Sequence, residues 1–426
     1  MLTTVELMPE APPADRVGKV LPRWLREVPL YQRAAKLLPL NGKPLALEDL
    51  RRLPLITKHD IRRDFPRNFL RAGVELDTLL DQDLVELEQT SGTSEERVPL
   101  LLGRGWWAEQ EERALRLNPL VARVLDDFPA ARRVTITSPV CSGDICYSGV
   151  PTRADRIVGN ALFVSLSRYP FLWSDAELAR MAGEAADWQP QFLDVDPVYG
   201  VLFALSCERQ RIRLPSLRFI LSSYEFVSAA HRRILQRVFG VPVLNLYGST
   251  ETGHLLMETG PDEMRPSQET ALLEMVAADE QGIGDLVVTT LTNDFMPLIR
   301  YRIGDLVEQL GPPRAPRYVV HGRAADAFFT PAGRRVTTWQ IDQCLADLPG
   351  MVHYQLCEPP DGGWLLRFVP DPAAPNAALP AELQRRLVER LEIRGQLVVQ
   401  ATDLLVPERS GKFRLGYPAR KPTPAP

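Results

Sequence analysis

A chain of 426 residues is long enough to bury a large core and to form two domains or more. Its formal net charge of -4 gives no general attraction to nucleic acid or to an anionic membrane surface. No apolar run approaches the roughly 18 residues that a spanning helix needs. The first residues, Met1-Leu-Thr-Thr-Val-Glu-Leu-Met-Pro9, lack the basic and apolar regions of a secretory leader, so a cytoplasmic location is expected. The five cysteines (Cys141, Cys146, Cys207, Cys344, Cys357) form no C-x-x-C pair, so neither a disulfide framework nor a Cys-rich zinc site is expected. The basic residues are almost all arginine, with no lysine between Lys58 and Lys412. A base-composition bias accounts for that. Against it, Lys412 beside Gly411 stands out, because a compact ammonium and a planar guanidinium are not interchangeable.

In chain order, amphipathic helical stretches surround Trp24 to Leu38. Leu53-Pro-Leu-Ile-Thr57-Lys58-His59-Asp60-Ile61-Arg62 reads as a helix start, with Thr57 as N-cap and Asp60 closing a capping box. Apolar alternation from Leu84 to Gln89 predicts a strand, followed by the hydroxyl-rich Thr90-Ser91-Gly92-Thr93-Ser94. Backbone N–H groups and hydroxyls in such a loop can wrap a polyphosphate, and they equally suit a plain hairpin turn. Trp106 to Leu125 has the periodicity of a helix. A strand begins at Val134-Thr-Ile-Thr137, a helix spans Ala176–Ala186, and Val198–Leu205 suits either helix or strand. Leu217 to Glu225 reads as a strand ending in polar residues, Ala229–Phe239 as a helix and Val241–Leu246 as a buried strand. That alternation predicts a parallel sheet with crossover helices.

The stretch Leu244-Asn-Leu-Tyr247-Gly-Ser-Thr-Glu251-Thr-Gly253 is the centre of the chain. Its strand is expected to stop at Gly248, which permits close approach of a ligand to the backbone. Ser249 and Thr250 then supply hydrogen-bond donors, and Glu251 an oxygen for a divalent cation. Ligands of open α/β sheets bind beyond the carboxyl ends of strands, where this turn is placed. From Gly282 the pattern changes to tight β units. One is Gly284–Thr290, and another is Pro297–Asp305, ending in a glycine and an acid. Asp305 can accept both hydroxyls of a ribose, or serve as a turn residue. Pro312, Pro313 and Pro316 mark a break. After His321-Gly322-Arg323 comes a small α+β segment with helices at Thr338–Leu348 and Pro380–Gly395 and strands at Val352–Cys357, Trp364–Val369 and Leu397–Ala401. It closes on Pro407-Glu-Arg-Ser-Gly411-Lys412-Phe413 and a Pro-rich tail expected to be disordered. The fold class is therefore α/β: a large N-terminal multi-sheet α/β domain, residues 1–321, and a small C-terminal α+β domain, residues 322–426.

Several of these stretches together resemble the adenylate-forming (acyl-CoA synthetase) superfamily in its phenylacetate–CoA ligase-like branch. The segment Leu53 to Arg62 is similar to that branch's early signature, and Thr90-Ser-Gly-Thr-Ser94 to the start of its phosphate loop. Tyr247-Gly-Ser-Thr-Glu251 is similar to its central nucleotide and metal motif. Thr289 to Asn293 and Pro297 to Asp305 give the most specific match. His321-Gly-Arg323 matches the domain junction, and Pro407 to Lys412 the C-terminal lysine motif. The matches keep family order from about residue 30 to 415. The resemblance implies that Thr90, Ser91, Gly92 and Thr93 contact the ATP phosphates and that Ser223 and Glu225 line the adenine. Tyr247, Gly248 and Ser249 would border the nucleotide, Thr250 touch the α-phosphate and Glu251 bind Mg²⁺. Asp305 would hold the ribose with help from Arg323. Lys412, on a mobile lid, would reach the acid and the bridging oxygen. Cys141, Tyr147, Tyr224 and Tyr247 would line the acyl pocket, suiting an aryl acid, with Phe163 read as core.

The chain departs from the branch in three places. Ser94-Glu95-Glu96-Arg97-Val98-Pro99 lacks the second glycine of the phosphate loop, and its carboxylates must point to water to avoid repelling a triphosphate. The hinge position is Ala325, with Asp326 following. Met257 to Gln268 carries neither the Cys nor the His of a zinc cluster, so no zinc is expected there. The implied activity is ATP-dependent activation of an aryl carboxylic acid, phenylacetate- or hydroxybenzoate-like, with pyrophosphate release. Transfer to CoA or to the phosphopantetheine thiol of an acyl carrier protein would follow, in a protein that relatives suggest is a homodimer. The alternatives are adenylyl transfer without a thioester step, and a weakly catalytic ligand-binding relative.

Overall fold

A computed structural model describes residues 13–38, 47–90, 97–139, 151–312, 314–359, 363–393 and 395–419. Ser91, Gly92, Thr93, Cys141, Tyr147 and the last residues of the Pro-rich tail lie outside that set.

The chain opens with helix α1 (Pro13–Glu27), whose buried face, Val17, Leu21, Trp24 and Leu25, packs into the first core. The short helix α2 (Lys58–Arg62) starts as expected: the Asp60 carboxylate accepts the Thr57 backbone N–H at 2.9 Å and its hydroxyl at 2.9 Å. Strands β1 (Val85–Gln89) and β2 (Pro99–Gly103) form an antiparallel hairpin. The single helix expected from Trp106 to Leu125 is two, α3 (Trp106–Leu115) and α4 (Pro119–Asp127). Asn118 breaks the periodicity: its side chain caps α4 by accepting from Leu120 and Val121 N–H, with Pro119 in the first turn.

Next come β3 (Arg133–Ile136), β4 (Ala161–Phe163), α5 (Asp175–Trp188) and β5 (Phe192–Val195). Then follow α6 (Pro197–Gln210), β6 (Phe219–Ser222), α7 (Ala229–Phe239) and β7 (Val243–Ser249). The ambiguous 198–205 run is helical because Asp196 caps it, accepting the Val198 N–H at 3.1 Å, and Pro197 pre-sets its first turn. Strands β3 to β7 pair in parallel, as the alternation predicts. Phe163, read as core, ends β4 half-buried.

Strand β7 does not stop at Gly248. It runs on to Ser249 and turns into the antiparallel β8 (Gly253–Gly260). Here glycine is required, because a Cβ on Gly248 would lie 2.3 Å from the Gly253 carbonyl oxygen. Strands β9 (Glu263–Pro266), β10 (Ala271–Val276), β11 (Ile283–Thr290), β12 (Tyr301–Leu310) and β13 (Arg317–Arg323) follow. Strand β12 likewise runs through Gly304 and Asp305 instead of ending there, with a register shift beyond them. With the short Ile157–Val158 strand, these make one mixed sheet of 12 strands ordered β10-β11-β12-β13-β9-β8-β7-β6-β5-β3-β4 and that strand.

The smaller C-terminal domain has α8 (Thr338–Leu345), β14 (Met351–Cys357), β15 (Trp364–Pro370), α9 (Leu379–Leu391), β16 (Leu397–Ala401) and β17 (Gly416–Tyr417). Its four-stranded sheet is ordered β16-β15-β14-β17. It sits on α7: Asp342 accepts the Ala229 N–H at 2.9 Å, His231 Nε2 meets His353 Nδ1 at 3.0 Å, and Arg237 pairs with Asp371 at 2.6 Å. Val352, Val369, Leu405 and Phe413 from this domain complete the apolar core of the parallel strands. Among the described residues no helix is long and apolar enough to cross a membrane.

Candidate active site

Apart from Thr90, the predicted residues that the structure describes fall in two groups, one around Tyr247 and the β7–β8 turn, the other just beyond β6. The first is set by strand register. β12 and β13 place Asp305 opposite Arg323, and the Asp305 carboxylate takes the Arg323 Nε at 3.1 Å on Oδ1. Its Oδ2 accepts the Tyr247 hydroxyl at 2.5 Å. Burial and the neighbouring Asp305 charge push the Tyr247 hydroxyl well above its ordinary range, so it stays a donor.

Glu251 follows Thr250 at the tip of the β7–β8 turn and is only 6% exposed. The Tyr301 hydroxyl donates to its Oε1 at 3.0 Å, and the Lys58 ammonium stands 3.5 Å from the same oxygen. Burial pushes the Glu251 carboxyl up, but Lys58 with the local hydrogen bonds outweighs it and holds the carboxyl below its usual range. Glu251 is therefore an ionised carboxylate in a sheltered position. Lys58 arrives there because Ile56 bridges to Tyr301, exchanging backbone hydrogen bonds with Arg300 and Arg302 at 3.0 and 2.9 Å. Ser249 and Thr252 hydroxyls pair at 3.0 Å beneath the turn. At the mouth of the β1–β2 hairpin, the Thr90 hydroxyl accepts the Val98 N–H at 2.9 Å.

The second group is built around Lys412. Its loop enters from the C-terminal domain. The Phe413 N–H donates to Glu225 Oε1 at 2.7 Å, and the Tyr199 hydroxyl donates to the Gly411 carbonyl at 3.2 Å. The Phe413 ring stands edge-on to Phe171, Tyr199 and His353, with centroids 5.7, 6.2 and 5.6 Å away. Gly411, at φ 88, is held so close that a Cβ would lie 2.2 Å from Ser138 Oγ. Lys412 Nζ donates to the Tyr224 carbonyl at 3.3 Å. Two carboxyls face it, Asp196 buried and Glu225 half-buried: burial raises Asp196 to about 7 against the pull of Lys412, and desolvation together with Asp196 raises Glu225 well above the usual range.

Ser223 and Glu225, expected along the adenine, spend their side chains on protein. Ser223 Oγ donates to Asp194 Oδ1 at 2.7 Å, and Glu225 holds the lysine loop. Tyr224 adopts a left-handed backbone at φ 71 and sends its hydroxyl to Asp194 Oδ2 at 2.9 Å. Sequence reading missed Lys58, Asp194, Asp196 and Tyr301 as members. Lys58 left one signal, since it and Lys412 bound the lysine-free stretch and both come to this crevice. The other three become visible only when strands and loops are brought together. Among the described residues no cluster of three or more His, Cys, Asp or Glu side chains could hold a metal ion, and Met257 to Gln268 forms the β8–β9 hairpin.

No protein-family model matches the chain. Over 374 residues, 80% of this chain and 77% of the relative, it is 25% identical to the phenylacetate-coenzyme A ligase of Escherichia coli (strain K12). Its fold is that of 2-hydroxyisobutyryl-CoA ligase in the postadenylation state: TM-score 0.66, 18% identity, with 92% of this chain and 87% of the other covered. Against the same enzyme in its thioesterification state, the TM-score is 0.54 at 19% identity, with 95% and 88% covered.

Proposed function

This chain belongs to the adenylate-forming superfamily, in its phenylacetate–CoA ligase-like branch, and on that premise we propose that it activates a carboxylic acid with ATP and passes the acyl group to a thiol. One observation carries the reading. The C-terminal loop delivers the Lys412 ammonium to the end of β6, beside β7, whose Tyr247 binds the Asp305–Arg323 pair and whose turn holds the ionised Glu251. An acid oxygen attacks the α-phosphorus of ATP, the bond from phosphorus to the bridging oxygen breaks, and pyrophosphate leaves with the electron pair. A thiolate then attacks the carbonyl carbon of the acyl adenylate and releases AMP. The first step brings two anions together, so fixed positive charge is what a protein can best supply.

Lys412 supplies it at the acid, and Lys58 beside the phosphates. Asp305, held in place by Arg323 and Tyr247, takes the ribose hydroxyls. Thr250, with Thr90, Ser91, Gly92 and Thr93, contacts the phosphates, and Gly248 and Ser249 border the nucleotide. Ser223 and Glu225 border it by backbone only, because their side chains are engaged. The sheltered, ionised Glu251 with the Ser249 and Thr250 hydroxyls fits Mg²⁺, which is held through one or two carboxylates plus substrate phosphates. When bound there, Mg²⁺ would neutralise phosphate charge. The acid is aromatic: relatives named for phenylacetate and the rings of Tyr224, Tyr247 and Trp107 around the strand ends support this. The thiol is that of CoA or of a carrier protein's phosphopantetheine, delivered after the C-terminal domain swings away as a lid. The test is pyrophosphate release by the full chain with Mg²⁺-ATP across a panel of aryl acids, followed by mass spectrometry for a thioester with CoA. No release with any acid by folded protein would end this reading.

The extensive seating of the C-terminal domain on α7 favours one second reading, in which the adenylate is made but the thiol step is not. Pyrophosphate release without any thioester, with CoA or a carrier protein supplied, would select it.

A further inference from the structure

Resting on the activation reading, we infer that the acid carries a hydrogen-bonding ring substituent, a hydroxyl or an amine, which is read by Asp194 with Thr135, Thr137 and His254. Strands β3 and β5 pair Thr135 with Asp194 in register, so both side chains leave the sheet on one face. Arg133, two residues before Thr135, shares that face, and α3 covers it by pairing Glu111 with Arg133 at 2.7 Å. Thr135 is 1% and Thr137 3% exposed, yet neither Oγ1 has a hydrogen-bond partner. His254 Nδ1, with its ring 4.9 Å from that of Trp107 on the same helix α3, is likewise unpartnered and buried. Two orphaned hydroxyls beside one buried carboxylate, with a third orphaned atom on His254 near the Glu111–Arg133 pair that also acts on Asp194, are costly in a core meant only to pack. They are what a site shaped for a polar group presents.

Tyr224 sets the distance. Its carbonyl receives Lys412, and its hydroxyl reaches Asp194. The Lys412 ammonium and the Asp194 carboxylate are thus about one tyrosyl length apart. An aryl acid with a polar substituent on the far side of its ring spans that length. A saturated short acid does not, and a plain phenyl ring would cover the orphaned atoms without pairing them.

The experiment measures kcat/KM for acid-dependent pyrophosphate release with matched benzoates and phenylacetates bearing hydroxyl, amine, methyl or hydrogen on the ring. The wild type should prefer hydroxyl or amine to methyl by at least about tenfold, since a site built for a polar group rejects the analogue lacking it. Asp194→Asn and the near-isosteric Thr135→Val should each shrink that ratio while KM for ATP stays put, a split that a purely structural role would not produce. If methyl and unsubstituted acids react as well as the polar ones, this inference falls and the activation reading stands. If no acid reacts, both fall. A wild-type preference untouched in both folded variants would also overturn the assignment to these residues.

Discussion

At the hairpin side of the crevice, Asp305 and Arg323 face each other because two adjacent strands are in register, and Glu251 follows from a two-strand turn. At the tail side, Lys412 meets a carbonyl 188 residues away, and its loop is held by Glu225, Tyr199 and a cage of rings from both domains. The first arrangement is as rigid as the sheet. The second exists only while the C-terminal domain is docked. The contrast teaches that Glu251 and Asp305 are stationed on the sheet, while the Lys412 ammonium is carried by a separate docked domain.

The sharpest way to break this contrast is Lys412→Ala. Pyrophosphate release should fall by about 100- to 1000-fold, the scale of losing one preorganised electrostatic donor. ATP binding by calorimetry should persist, because the sheet side is untouched. Loss of ATP binding together with turnover would show that the two sides are not independent.

The docked state should also depend on pH, through buried groups that act in opposite directions. His231 is pushed down to about 3 and His353 well below its ordinary 6.5, both by burial. The folded state therefore takes up fewer protons there than the unfolded chain, and stability is lost as pH falls below the ordinary histidine value. Asp196 runs the other way. Its carboxyl is raised to about 7, so stability is full below its ordinary value of 3.8 and is lost as pH rises through about 7. Thermal unfolding against pH should show both losses. His353→Gln should flatten the acid side and Asp196→Asn, which keeps the α6 cap, the alkaline side. A wild-type curve flat through neutrality would refute the Asp196 assignment.

Smaller effects sharpen the sheet side. Lys58→Met should weaken Mg²⁺-ATP use by roughly fivefold, the scale of a part-exposed ion pair. The loss should appear in KM for ATP rather than in KM for the acid. Least of all, Asp60→Ala should cost about 1 kcal/mol in urea unfolding by opening the α2 cap that orients Lys58.

Local sequence determined a good deal. The cap at Thr57, alternating apolar runs and the Gly248–Gly253 turn act over a few residues, so most of the alternation of strands and helices was readable, as was the placing of Glu251, Asp305 and Lys412 on turns and strands. Boundaries failed where a neighbour decided them. The β7 and β12 strands continue past their glycines because antiparallel partners accept their backbone groups, and the helix from Trp106 breaks where the Asn118 side chain caps a new one. Only the tertiary structure brought Lys58 to Glu251, set Asp194 opposite Thr135 and aimed Lys412 between Asp196 and Glu225. Such pairings are set by sheet register, domain docking and desolvation, and these depend on which distant groups share a dry space, which no short window of residues contains.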